Sequence, residues 1–148
     1  MKIISKDSIV KKNVILLLIL SSLAFANVAI VKKVSGTVEV KRKGKVLSIK
    51  KGSTLNNGDI ILTKSKSSIG LIFDDGSRLS LGEKAVFVIN RFIVKPSKKK
   101  YDVDLELKKG KALFSSGKIG KLAPKAVKFR IPEGAIGIRG TKFAVEVK

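Results

Sequence analysis

The chain contains no cysteine and no histidine. Without cysteine there is no disulfide, no redox-active thiol and no acceptor for an N-terminal lipid, so stability has to come from packing and sheet hydrogen bonds. The absence of histidine removes the commonest general base and the commonest transition-metal ligand together. A serine-lysine dyad or a carboxylate pair is what remains for catalysis, and neither has a recognisable spacing here. No Walker loop or dinucleotide fingerprint is present either. The expectation is a non-enzyme without metal or cofactor.

Acidic residues are also few, 11 against 32 lysines and arginines, for a formal net charge of +21. Four lysines and one aspartate fall in residues 1–26, so residues 27–148 keep 28 basic and 10 acidic side chains, a net of +18. Such a field concentrates anionic partners by long-range attraction that salt screens. The basic residues are nevertheless dispersed. Lys32-Lys33, Lys41-Arg42-Lys43, Lys50-Lys51, Lys64, Lys66, Lys98-Lys99-Lys100 and Lys108-Lys109 fall at or near expected strand ends and turns. Most are lysine, whereas arginine is the better fork for phosphate. A solvated surface that protects strand edges is the plainer reading, and an anionic glycan or lipid partner is the functional one. Single-stranded nucleic acid would call for exposed aromatics among the basic residues. The phenylalanines instead continue apolar registers, Phe73 after Ile69 and Leu71, and Phe143 before Val145 and Val147. Nucleic acid is therefore not an expected partner.

Lys2, Lys6, Lys11 and Lys12 precede an apolar run over residues 14–26, which Ser21 and Ser22 alone interrupt and which closes in Ala24-Phe25-Ala26. Basic lead, apolar run and small-x-small close have the form of a signal peptide cut after Ala26, with a second possible site after Ala29. The competing reading is a retained anchor, since the apolar character extends towards Val31, although a span needs roughly 20 apolar residues. Either way the chain is exported, to the periplasm or the cell surface. The remaining 122 residues, 27–148, are the length of one domain.

Periodicity in that domain is β. Tyr101, Val103, Leu105 and Leu107 alternate with Asp102, Asp104, Glu106 and Lys108, and Val34, Gly36, Val38 and Val40 alternate with Ser35, Thr37, Glu39 and Lys41. Residues 85–94 are apolar on both faces and rich in β-branched side chains, as in a strand covered on both sides. Turn signals recur at Lys43-Gly44-Lys45, Asn56-Asn57-Gly58-Asp59, Asp74-Asp75-Gly76-Ser77, Lys109-Gly110-Lys111 and Ser116-Gly117. Asp75-Gly76 between two apolar runs is the strongest hairpin signal. Residues 96–100 read as an exposed loop, and residues 116–125 as an irregular stretch. The fold class is all-β, with roughly nine to twelve short strands in a β-sandwich, roll or short β-helix.

Three segments carry a family resemblance: Gly58-Asp59-Ile60-Ile61-Leu62-Thr63, then Leu71-Ile72-Phe73-Asp74-Asp75-Gly76-Ser77-Arg78-Leu79-Ser80-Leu81, then Gly137-Ile138-Arg139-Gly140-Thr141-Lys142-Phe143. In this order and spacing they resemble the FecR domain family, with Ile131-Pro132-Glu133 departing from the threonine that more often precedes that proline. The resemblance implies an extracytoplasmic binding or signalling module. The family's transducer carries a cytoplasmic anti-sigma segment ahead of its membrane span. Only about thirteen residues precede the apolar run here, so the extracytoplasmic domain alone is expected to carry over. Its expected partner is another envelope protein, joined by strand addition at an open sheet edge.

Within the terminal motif, Gly137 and Gly140 would allow a turn or a close backbone approach. Arg139 would then latch onto carbonyls or onto a carboxylate such as Asp59 or Asp75, with Thr141 bonding locally and Phe143 anchoring the last strand. The alternative role for Arg139 is contact with an anionic ligand. Asp102, Asp104 and Glu106 share a strand face at about 7 Å intervals, and a charge-paired face with the lysines at 98–100, 108 and 109 explains them better than a cation site.

Overall fold

The computed structural model describes residues 26–138 and 142–148. The basic lead, almost all of the apolar run and the Arg139-Gly140-Thr141 centre of the terminal motif lie outside the described residues. Twelve strands are present among them: β1 (Asn27–Ser35), β2 (Val38–Arg42), β3 (Lys45–Ser48), β4 (Thr54–Asn56), β5 (Ile60–Thr63), β6 (Ser68–Phe73), β7 (Arg78–Leu81), β8 (Val86–Lys95), β9 (Lys100–Ser115), β10 (Val127–Ile131), β11 (Gly134–Ile136) and β12 (Lys142–Val147). Between β9 and β10 lie one helical turn, α1 (Ile119–Leu122), and a 3-10 turn at Pro124–Ala126. The all-β expectation is met.

The strands form one curled sheet whose main path runs β3-β2-β5-β8-β9-β7-β6-β1-β4, antiparallel throughout. The sixteen-residue β9 is its spine. Its first part pairs with β8 on one side and, in parallel, with β10 on the other; its last part pairs with β7 and β12. Because one strand serves both halves, the sheet must roll over itself, and the alternate residues of each half meet in a common core. Val40, Leu55, Ile61, Phe87, Ile89, Leu105, Phe114 and Phe129 are fully buried there. The phenylalanines pack at aromatic spacings, Phe73 on Phe92 at 4.3 Å and Phe129 edge-on to Phe143 at 5.0 Å. Core, and not base stacking, is what the aromatics serve.

Three expectations need correction. Lys109-Gly110-Lys111 is not a turn between strands, because β9 runs straight through it. Gly110 instead supplies the bend, with φ at +95°, and its bare Cα lies so close to Ala85 that an added Cβ would come within 2.6 Å of the Ala85 Cα. Gly110→Ala is thus expected to combine left-handed strain of about 1–3 kcal/mol with overpacking of similar size. A chemical melt showing the variant within about 0.5 kcal/mol of wild type would contradict this account of the bend.

The alternation from Val34 to Lys41 belongs to two strands. The chain leaves one half of the sheet at Gly36, φ +72°, and enters the other at Val38, held at the corner by Thr37 N–H donating to Ser67 Oγ at 2.9 Å. Strict period-two patterning persists across a corner when both flanking strands face one core. Finally, β8 is buried on both faces only at Phe87, Val88 and Ile89; a register shift between Ile89 and Arg91 then turns its polar residues outward.

Candidate functional site

The Gly58-Asp59 segment forms the tight link from β4 to β5. Asp59 N–H donates to Asn56 O at 3.2 Å, Gly58 N–H donates to Ile89 O at 2.6 Å, and Asn57 Oδ1 accepts the Phe92 N–H at 2.8 Å, so the turn is stitched to β8. The Asp59 carboxylate is fully buried. Arg42 on β2 grips it two-fold, Nε to Oδ1 at 2.8 Å and Nη2 to Oδ2 at 2.7 Å, and Asn56 N–H adds 2.8 Å to Oδ2. Hydrogen bonding to Asp59 raises the Arg42 pKa against the opposing effect of burial. The same guanidinium donates to Thr54 O at 3.2 Å. One side chain thereby ties β2 to β4, near opposite ends of the sheet path.

Thr63, which ends the first motif segment, clips the link from β7 to β8: its Oγ1 donates to Gly82 O at 2.6 Å and accepts the Ala85 N–H at 2.8 Å. The second segment is a buried knot. Asp74 to Ser77 make the predicted hairpin turn between β6 and β7, and Asp75 and Ser77 are at most 5% exposed. Asp75 accepts from Ser77 N–H at 2.8 Å, from Ser77 Oγ at 2.9 Å and from Ile119 N–H at 3.0 Å. Ser77 Oγ in turn accepts the Gly117 N–H at 2.8 Å. A Cβ at Gly117 would meet Asp75 O at 2.3 Å, so only glycine lets the segment lie this close. Beside the knot, burial and then the Asp75 charge push the Asp74 carboxyl above the usual range.

Both carboxylates proposed as seats for Arg139 are therefore engaged by other donors, Asp59 by Arg42 and Asp75 by Ser77 and Ile119. Arg139, Gly140 and Thr141 lie outside the described residues. Gly137 is exposed and a Cβ there would meet nothing within 4 Å, so close approach is not its reason. Phe143 is half-buried against Phe114 and Phe129. Of the acidic face of β9, Asp102 and Asp104 are charge-paired, but by arginines on the neighbouring strands instead of the expected lysines. Arg130 on β10 holds Asp104 at 2.9 and 2.8 Å, and Arg91 on β8 holds Asp102 at 2.8 Å. Lys100, Lys108 and Lys109 lie on β9 itself, whereas Arg91 and Arg130 sit on the strands beside it and reach across one strand spacing with a planar fork.

A cavity of about 380 Å³ opens between the β2–β3 hairpin and the β4–β5 turn, lined among others by Arg42, Lys43, Lys45, Leu47, Asn56 and Asp59. The Asn56 Oδ1 is buried there with no hydrogen-bond partner among the described residues. Arg42 is the residue that sequence reasoning missed, counted only as one of a basic triplet. The available signal was an arginine standing between two lysines at the tip of a hairpin.

The family model described as FecR protein matches residues 59–148, from the gripped Asp59 to the end of the chain. The chain belongs to the FecR family. No curated protein and no solved structure matches it. FecR domains are extracytoplasmic and their family is one of regulation and signalling. Two of the three motif segments that resemble the family, the Asp59 turn and the Asp75-Gly76-Ser77 turn, serve in this FecR domain to lock loops onto the sheet. No helix among the described residues is long and apolar enough to cross a membrane.

Proposed function

We propose that this FecR domain is a non-enzymatic extracytoplasmic signalling module that contacts another envelope protein by strand addition along β12. The supporting observation is the edge itself. β12 is six residues long and, among the described residues, pairs only with β9. The other strands that end the sheet are shorter, β3 with four residues and β4 and β11 with three each. Its Phe143, Val145 and Val147 face the core while Lys142, Ala144 and Glu146 are exposed, which fixes the register an added strand would continue.

Recovery of the native protein from cell envelopes at low and high salt tests the reading. The expected result is a chain beginning at Asn27 by intact mass, retaining one stoichiometric protein through high salt, because a paired edge with an apolar centre is weakly screened. A cut after Ala29 would remove Val28 and Ala29, which are 4% and 3% exposed in the core, and the Asn27 pairing with Asn56. Release by salt of a chain free of protein would overturn strand addition in favour of the second reading, an anionic glycan or lipid, which the basic lining of the cavity supports.

A further inference from the structure

Several segments distant in sequence meet at one end of the rolled sheet. Asn27 opposes Asn56, Asp74 N–H donates to Val28 O at 3.0 Å, Phe73 stacks on Phe92, and Ile119 is bonded to Asp75. The β8–β9 hairpin projects past Phe92 at this end, and the Arg42–Asp59 pair brings the β2–β3 hairpin tip to it. Nine exposed lysines crown these turns, among them Lys45, Lys95, Lys98, Lys100, Lys121 and Lys125.

The acids do not balance them. Asp59, Asp75 and Asp104 are buried, Asp102 is half-exposed but taken by Arg91, and Asp74 is exposed. Glu39, Glu83 and Glu146 lie at the opposite end, where Glu39 pairs with Lys64 at 3.3 Å and Glu83 accepts the Lys66 N–H at 2.7 Å. Exposed lysines stand at that end too, Lys64, Lys66, Lys84, Lys108, Lys109 and Lys111, so what sets the first end apart is its shortage of exposed acids. On the first end, Leu122 is 50% exposed beside Lys121 and close to Lys125. This is also where β1 begins, immediately after the apolar run of residues 14–26.

We propose that this end docks on anionic phospholipid headgroups, its lysines meeting the phosphates and Leu122 entering at headgroup depth. The proposal rests on the extracytoplasmic placement of the domain and not on strand addition. A chain starting at Asn27 carries every described strand and core residue. It is mixed with phosphatidylcholine vesicles, with or without about one-third phosphatidylglycerol, and sedimented. Binding is expected on the anionic vesicles alone and should decline with salt. At about 0.1 M salt, where the Debye length is about 10 Å, each lysine removed weakens partition about fivefold, so Lys98→Gln with Lys100→Gln should cost about 25-fold. Lys108→Gln with Lys109→Gln, the same charge change at the opposite end, should stay within about twofold, since charges beyond a Debye length of the surface contribute little. Leu122→Ser should weaken binding with an unchanged melting temperature. Absence of partition onto anionic vesicles at low salt, or equal losses from the two lysine pairs, would overturn the proposal. No protein partner enters this assay, so that failure would leave the β12 contact standing.

Discussion

Asp75→Ala is expected to lower the melting temperature by about 10–20 °C, the equivalent of about 3–5 kcal/mol for a domain of this size. The carboxylate is 5% exposed and accepts three hydrogen bonds, two from its own turn and one from Ile119 N–H forty-four residues away. Bonds to a charged acceptor are each stronger than neutral ones, and the orphaned donors are left where water cannot easily reach. Ser77→Ala removes one bond to Asp75 and the seat of Gly117 N–H, and should cost less, about 1–2 kcal/mol. The two losses should not add, because both side chains belong to one network. Thermal melts read both, and hydrogen exchange at Gly117 and Ile119 reports where the damage lies. If Asp75→Ala melted with wild type, the carboxylate would not be what holds residues 117–119 on the sheet.

Arg42→Met is expected to be nearly as damaging, at about 3–5 kcal/mol, because it strands a carboxylate that is 0% exposed. The pair itself need not be strongly stabilising, since burying both charges costs much of what their attraction returns. Breaking it is what costs. Arg42→Lys keeps the charge but loses the fork and the bond to Thr54 O, and should fall between the two. Adding Asp59→Asn to Arg42→Met should recover much of the loss, because a neutral amide can still accept the Asn56 N–H without a buried charge. A denaturant-melt double-mutant cycle measures the coupling, and a value near zero would show that Arg42 is only a surface lysine-like charge. Lys41→Met, one residue away and exposed, is the matched control, expected within about 0.5 kcal/mol.

The motif turns show how far sequence reaches. Asp75-Gly76 between two apolar runs specifies a hairpin because glycine at positive φ and an aspartate folding back on its own backbone are local properties. That the same aspartate also captures Ile119 N–H was not legible, since residues 116–125 carry no periodicity and their place depends on a contact across the chain. Gly110 misled for a related reason: glycine between lysines fits a loop, but here it bends a single strand against Ala85. Arg42 was hidden among lysines of equal charge. Only the curl of the sheet, which carries β2 round to β4, made it the partner of Asp59.

By itself the sequence determined the all-β class and the Asp75-Gly76 hairpin, because these rest on residues within a few positions of one another, and the family, because three short segments keep their order and spacing along the chain. The tertiary structure alone decided which carboxylates are buried and by whom they are held, which strand edge has no partner among the described residues, and at which end the exposed acids are scarce. Those properties depend on pairings between distant residues, and scattered charges acquire a direction only when the fold gathers their turns at one end and buries the acids among them.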